Sequence, residues 1–206
     1  MIYDIFDMVY YINMDKDVER NKHTLALFAE YDITKFKRMK GMVINTIPAP
    51  FSYRNFNHKN KQYVLGALGC RASHLNIIQD AQKNGHKNIL VFEDDIDFLV
   101  DPHKLVEGNL LNLQDFDLAY FGGVQEQGYC NQIVETHAMG INHRIFEDIW
   151  YLAPASGMEI DNFYAKILQQ MNVNARVGGK YITKKVEPFN SIKQLAKFKS
   201  NINPYF

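Results

Sequence analysis

Residues 65–95, LGALGCRASHLNIIQDAQKNGHKNILVFEDD, restrict the fold more than any other stretch of the chain. The segment opens among glycines and turns helical, with Ala72, Leu75, Ile78 and Gln82 on one face. Gly85 then stands where a C-terminal cap glycine belongs, and an apolar strand, NILVF, follows at once. Helix, glycine and buried strand in that order form an α/β unit. Such a unit implies a parallel sheet, because a strand buried on both faces needs helices to cover it.

The remaining pattern fits that reading. Residues 8–13, MVYYIN, are an apolar, aromatic and β-branched run that reads as a buried strand. A helix follows, capped by Asp17, with Val18, Leu25, Phe28 and Ala29 expected on its inner face. ITKFKRMKG offers a second, more exposed strand ending at Gly41. Residues 42–64, with Pro48, Pro50, several Asn and scattered aromatics, read as a long functional loop. DLAYFGG and ETHAMGIN read as strands, and RIFEDIWYL and MEIDNFYAKILQQMN as helices, the latter with Phe163, Ile167 and Leu168 inward. No internal repeat is visible. The expectation is one domain over residues 1–206, with a ligand-binding half to about residue 123 and a less regular second half.

Charge and cysteine content narrow the function. The 23 basic and 23 acidic residues balance, so no bulk field points to nucleic acid or an anionic membrane surface. Two cysteines, Cys70 and Cys130, are too few for a disulfide scaffold, and no glycosylation sequon is present. The opening residues lack the pattern of a signal peptide, and no apolar run approaches the roughly 20 residues of a membrane span. Abundant Lys, Asn and Ile fit an AT-rich genome, as in some bacteria and large DNA viruses. A soluble protein of a bacterial or viral-host cytosol is expected.

Against that neutral background, Glu93, Asp94, Asp95 and Asp97 crowd the end of the NILVF strand. Ligands of open α/β sheets bind beyond the carboxyl ends of the strands. Carboxylates so close repel unless a cation or hydrogen-bond donors compensate. Hard oxygen ligands suit Mg2+ or Mn2+, which bind one or two carboxylates together with substrate phosphates. Strand alternation would put Glu93 and Asp95 on one side and Asp94 on the other, making Glu93-x-Asp95 an acid-x-acid metal motif. Asp95-Ile96-Asp97 is a competing frame, and a solvated acidic loop is the plain alternative. An EF-hand does not fit, because DDIDFLVDPHKL lacks the turn glycine and terminal glutamate. A phosphatase-type Asp-x-Asp nucleophile lacks the hydroxyl residue expected soon after it.

These segments together resemble glycosyltransferase family 25, which includes lipooligosaccharide and collagen galactosyltransferases. VYYINMDKDVERNKH resembles the family's opening signature. The Gly66, Gly69, Cys70, Ser73, His74 series with a helix and a strand ending Glu93-Asp94-Asp95 resembles its central one. DLAYFGG, ETHAMGINHRIFEDI and an acid-bearing MEIDNF follow in the family's order, so the likeness runs from residue 8 to about 164. The resemblance implies a GT-A fold, a Rossmann-like α/β architecture with a central, mostly parallel sheet flanked by helices. It also implies inverting transfer of a hexose, galactose or glucose, from a nucleoside-diphosphate sugar, commonly UDP-linked, to a hydroxyl of a glycan or glycoprotein. Carried onto this chain, it implies a metal held by Glu93 and Asp95, Mn2+ or Mg2+. Donor contacts would come from Asn13, Asp15, Arg20, His74, Glu93 and Asp94, with Asp94 also in a catalytic role.

Inverting transfer needs a base for the acceptor hydroxyl. Asp161 is the first choice, with Glu126 and Asp148 as rivals, although Asp161 reads equally as a cap for its helix. His74 reads as a donor contact or as a packed helix-start histidine, and Cys70 as a small buried hydrophobe. Zinc is not expected, since the seven histidines and two cysteines show no paired ligand spacing. Arg176, Lys180, Lys184 and Lys185 around Gly178-Gly179 read as a loop over the diphosphate or as a solvated face. His137 and Trp150 read as sugar-pocket or core residues. A noncatalytic glycan- or nucleotide-binding relative and a metal-dependent phosphohydrolase are the alternative functions.

Overall fold

The computed structural model describes residues 1–47, 60–98, 101–104, 116–125, 133–171, 175–177, 180–181 and 196–198. Pro48, Pro50, Glu126, Cys130, Gly178, Gly179, Lys184 and Lys185 lie outside them. The strands are β1 (Met8–Asn13), β2 (Phe36–Lys40), β3 (Asn88–Glu93), β4 (Ile96–Phe98), β5 (Leu118–Gln125), β6 (Ile133–Asn142), β7 (Ala175–Val177), β8 (Lys180–Tyr181) and β9 (Ala196–Phe198). The helices are α1 (Val18–Glu30), α2 (Lys61–Lys83), α3 (Phe146–Ser156) and α4 (Ile160–Lys166).

Seven strands form one sheet in the order β2-β1-β3-β6-β5-β7-β8, and β4 pairs with β9 in a separate ribbon. β1 lies parallel to both β2 and β3, and β5 is parallel to β7, while β6 runs antiparallel between β3 and β5. Five of the seven strands therefore share one direction, as the helix–glycine–strand unit implies. The antiparallel β6 is a departure from a uniformly parallel sheet. It also interleaves the second half of the sequence with the first.

Alternation along the central strands feeds a core on each face. Tyr10, Ile89, Val91, Leu118, Tyr120 and Met139 join one cluster with α2, α3 and α4. Val9, Tyr11, Leu90, Phe92, Ala119 and Phe121 join the other, with Leu27 and Phe28 of α1. Each apolar side chain so buried contributes roughly 1.5–3 kcal/mol. The aromatic and β-branched content of β1 and β3 follows from this two-sided burial.

Several local expectations change. The inner face of α1 is Arg20, Thr24, Leu27 and Phe28, whereas Val18 and Leu25 are exposed. The helix is turned so that its polar residues meet the acids at the end of β3. Asp17 occupies the cap position of α1 without a side-chain capping bond. α2 begins at Lys61, a turn before the glycines, because the Asn60 side chain accepts from the Gln62 amide at 2.8 Å and caps it. The face of α2 that enters the core carries His74, Ile77, Ile78 and Ala81, and Gln82 is exposed. At its end Gly85 takes φ +70°; the amides of Gly85 and His86 bond back to Gln82 and Ala81, closing a Schellman cap. The final helical pattern splits into α4 and a 3-10 turn at Leu168–Met171.

Candidate functional site

The sheet presents the ends of β1 and β3 side by side, with Ile12 in register with Glu93. β3 stops at Glu93, and Asp94 and Asp95 form a turn before β4. Strand alternation therefore does not govern the acids, and the expected pairing of Glu93 with Asp95 on one side gives way to a different division.

Asp94 and Asp95 are both buried and share one cation. Arg20 Nη1 lies 3.0 Å from Asp94 Oδ1 and 3.0 Å from Asp95 Oδ2. Asn13 Nδ2 donates to the other Asp94 oxygen at 2.5 Å, and Thr24 Oγ1 donates to the Asp94 carbonyl at 3.4 Å. Both carboxylate oxygens of Asp94 are thus engaged. Asp95 differs: its Oδ1 is buried and has no hydrogen-bond partner among the described residues. Burial pushes the Asp95 carboxyl up to about 6, with the Asp94 charge adding to the rise and Arg20 opposing it. Burial also raises Asp94, against the lowering by Asn13 and Arg20.

The network extends outward through Asn13. Arg38 Nε donates to Asn13 Oδ1 at 2.9 Å, and Arg38 Nη2 pairs with Asp15 Oδ1 at 2.8 Å. Lys40 also pairs with Asp15, and these two cations hold the exposed Asp15 carboxyl below its ordinary value. Asp15 forms the outer end of the network and Asp95 the inner end.

Glu93 turns the other way, toward α2. Cys70 Sγ lies 3.9 Å from Glu93 Oε1, and one ligand atom each of Cys70, His74 and Glu93 fall within 4.8 Å of one another. Burial holds the Cys70 thiol protonated, reinforced by the negative charges of Glu93, Asp161 and Asp95. His74 is buried, and that burial lowers its imidazole to about 4. The expectation that zinc lacks paired ligand spacing did not consider this grouping. Cys70 and His74 stand at i and i+4 on α2, and the third ligand comes from a distant strand.

The glycine–serine part of the same motif does different work. Ser73 Oγ donates to the Gly69 carbonyl and accepts from the Met42 amide, both at 2.8 Å. A Cβ at Gly69 would stand 2.4 Å from the Met42 carbonyl oxygen, so this glycine lets the segment after β2 lie against α2. At Gly66 an added Cβ meets nothing within 4 Å. Neighbouring Arg71, which sequence reasoning passed over, donates to the carbonyls of Ala153 and Met158 at 3.2 and 2.9 Å, pinning α2 to the end of α3.

Asp161, in the first turn of α4, accepts from its neighbour Asn162 at 2.7 Å and from the Glu135 amide at 3.2 Å. Glu135 is exposed and holds φ +63°, an uncommon conformation for a side chain of that type; partial desolvation and the nearby Asp161 charge raise its carboxyl. No local sequence signal marks Glu135. His137 is buried in β6, while Asp148 and Trp150 lie partly buried on α3. Arg176 and Lys180 fall in β7 and β8.

A profile described as glycosyltransferase family 25 (LPS biosynthesis protein) matches residues 6–186. Among solved structures, the chain is similar to a glycosyltransferase involved in glycosylation of the major capsid of PBCV-1, with 15% identity over 82% of this chain and 80% of that one and a TM-score of 0.50. A protein assigned as a nucleotide-diphospho-sugar transferase from Desulfovibrio desulfuricans G20 aligns at 12% identity, covering 82% and 78%, with a TM-score of 0.43. The first likeness shows the fold, which is GT-A-like, with a mixed sheet of mostly parallel strands flanked by helices. Among the described residues, no helix is long and apolar enough to cross a membrane.

Proposed function

The chain belongs to glycosyltransferase family 25, and from that premise we propose an inverting transfer of a hexose from a UDP-sugar to a hydroxyl of a glycan or glycoprotein. The observation that carries the site assignment is the free oxygen of Asp95. It is a buried acceptor just past the end of β3, without a partner among the described residues, beside a guanidinium that serves its other oxygen. A carboxylate so placed fits a divalent cation, and Asp95 would hold Mn2+ or Mg2+ with the donor diphosphate. When bound, that ion supplies positive charge against the departing diphosphate.

The chain's own residues have separable roles in this reading. Asp94, with both oxygens engaged, and Asn13 and Arg20, which engage them, fix the turn that aims Asp95. Asp15 and Arg38 border the same network at its outer end, where they would contact the nucleotide. Asp161 takes the acceptor proton as the acceptor oxygen attacks the anomeric carbon. The bond from that carbon to the diphosphate breaks, and its electron pair leaves with the nucleoside diphosphate.

Thermal shift with nucleoside diphosphates and their sugars, with and without Mn2+, identifies the donor. Ligand at about 100 times its Kd stabilises by about 2.7 kcal/mol. Asp95→Asn keeps the side-chain shape and is expected to lose manganese-dependent donor binding and sugar transfer while remaining folded. Near-normal turnover by this variant overturns the assignment.

A further inference from the structure

We propose that Cys70, His74 and Glu93 form a binding site for a thiophilic divalent cation of the zinc class, separate from the oxygen site at Asp95. The three ligand atoms already converge within 4.8 Å. In a tetrahedral site with bonds of about 2.0–2.3 Å, ligand atoms stand roughly 3.3–3.8 Å apart. The 3.9 Å between Cys70 Sγ and Glu93 Oε1 is close to that spacing, so small side-chain adjustments complete the contraction. The ligand set itself is selective: sulfur and imidazole favour zinc or cobalt over magnesium or manganese.

A second, independent observation concerns the same histidine. His74 is 1% exposed, and its Nε2 is buried with no hydrogen-bond partner among the described residues. Its other nitrogen, Nδ1, lies 3.4 Å from the Tyr164 hydroxyl. With Nδ1–H donating to the Tyr164 oxygen, Nε2 keeps its lone pair for a cation, the arrangement by which an outer residue orients a metal-bound histidine. Two ligands one helical turn apart on α2 and a third at the end of β3 would tie helix to sheet. Three protein ligands leave a fourth coordination position for water or a ligand oxygen.

The test uses the full chain stripped of metal with a chelator. Zn2+ is titrated against a chromophoric chelator, and Co2+ is added separately while the cobalt–thiolate charge-transfer absorption is followed. Expected are one equivalent of bound zinc and a charge-transfer band. Cys70→Ser is expected to remove the band, and Cys70→Ser and His74→Asn to weaken zinc by about tenfold or more, at least the loss typical of disturbing a metal-bound histidine's support. Asp95→Asn should keep the charge-transfer band and one equivalent of bound zinc, which separates this site from the donor assignment. No charge-transfer band in a folded protein overturns the proposal. So does zinc binding that survives Cys70→Ser and is lost in Asp95→Asn or Cys130→Ser.

Discussion

One nitrogen of Arg20 bonds both Asp94 and Asp95, at 3.0 Å each, where all three side chains are buried. Adjacent carboxylates tolerate one another here because a single guanidinium lies between them. Removing it strands two charges in a poorly solvated turn. Arg20→Met should therefore destabilise the fold by about 3–5 kcal/mol, the range for breaking a buried ion pair from one side. Denaturant unfolding reads this directly. A loss under about 1 kcal/mol, typical of an exposed pair, means that the turn does not depend on Arg20.

The Asp95 carboxyl gives the metal-free protein a characteristic pH response. Its folded value is raised from 3.8 to about 6, so the folded state binds the proton more tightly than the unfolded chain. The contribution to stability is present below the unfolded value and is lost as pH rises through about 6. His74 works in the opposite sense: lowered from 6.5 to about 4, it costs stability as pH falls below its unfolded value. The informative quantity is thus the wild-type stability minus that of Asp95→Asn. Between about pH 4 and pH 7 this difference should decline by up to about 3 kcal/mol, since each tenfold change in proton affinity corresponds to about 1.4 kcal/mol. Chemical unfolding across that range checks it, and a flat difference means that Asp95 is not held protonated by its surroundings.

The parts of this architecture visible in the sequence are those whose cause is local. β1 and β3 announce themselves because burial on both faces demands unbroken apolar runs, and Gly85 marks a helix end because φ +70° favours a residue without Cβ. The inner face of α1 was obscured by a long-range contact. Arg20 and Thr24 are buried against acids some 70 positions away, so hydrophobic periodicity points to Val18 and Leu25 instead. The crowding of the acids was legible, but their division was not, because the strand ends at Glu93 and a turn re-aims the next two side chains. The insertion of β6 between β3 and β5 has no short-range signature either. Cys70 and His74 gain Glu93 as a neighbour only once α2 packs beside β3.

The two glycines of the α2 motif should respond oppositely to alanine. A methyl at Gly69 meets the Met42 carbonyl oxygen at 2.4 Å, and backbone on both sides must move. Gly69→Ala is expected to destabilise by about 1–3 kcal/mol, as overpacking does. A methyl at Gly66 enters open space within a helix. There the gain in helix propensity should stabilise by roughly 0.5–1 kcal/mol. Thermal unfolding of both variants distinguishes the positions, and equal effects would mean that the segment after β2 does not rest on Gly69.

Asp161 joins α4 to the start of β6 through its bond from the Glu135 amide, and its charge reaches the partly buried Cys70 thiol. A base there would serve an acceptor on the Cys70 side of the acidic cluster. Asp161→Asn retains a side-chain oxygen for one backbone donor but cannot take up a proton from a hydroxyl. Sugar transfer should fall by about 10²–10⁴-fold, the usual contribution of a general base, while the donor Kd and melting temperature stay close to wild type. Glu135→Gln should fall far less if Glu135 only supports that carboxylate through its backbone. The reverse order of effects assigns the proton to Glu135.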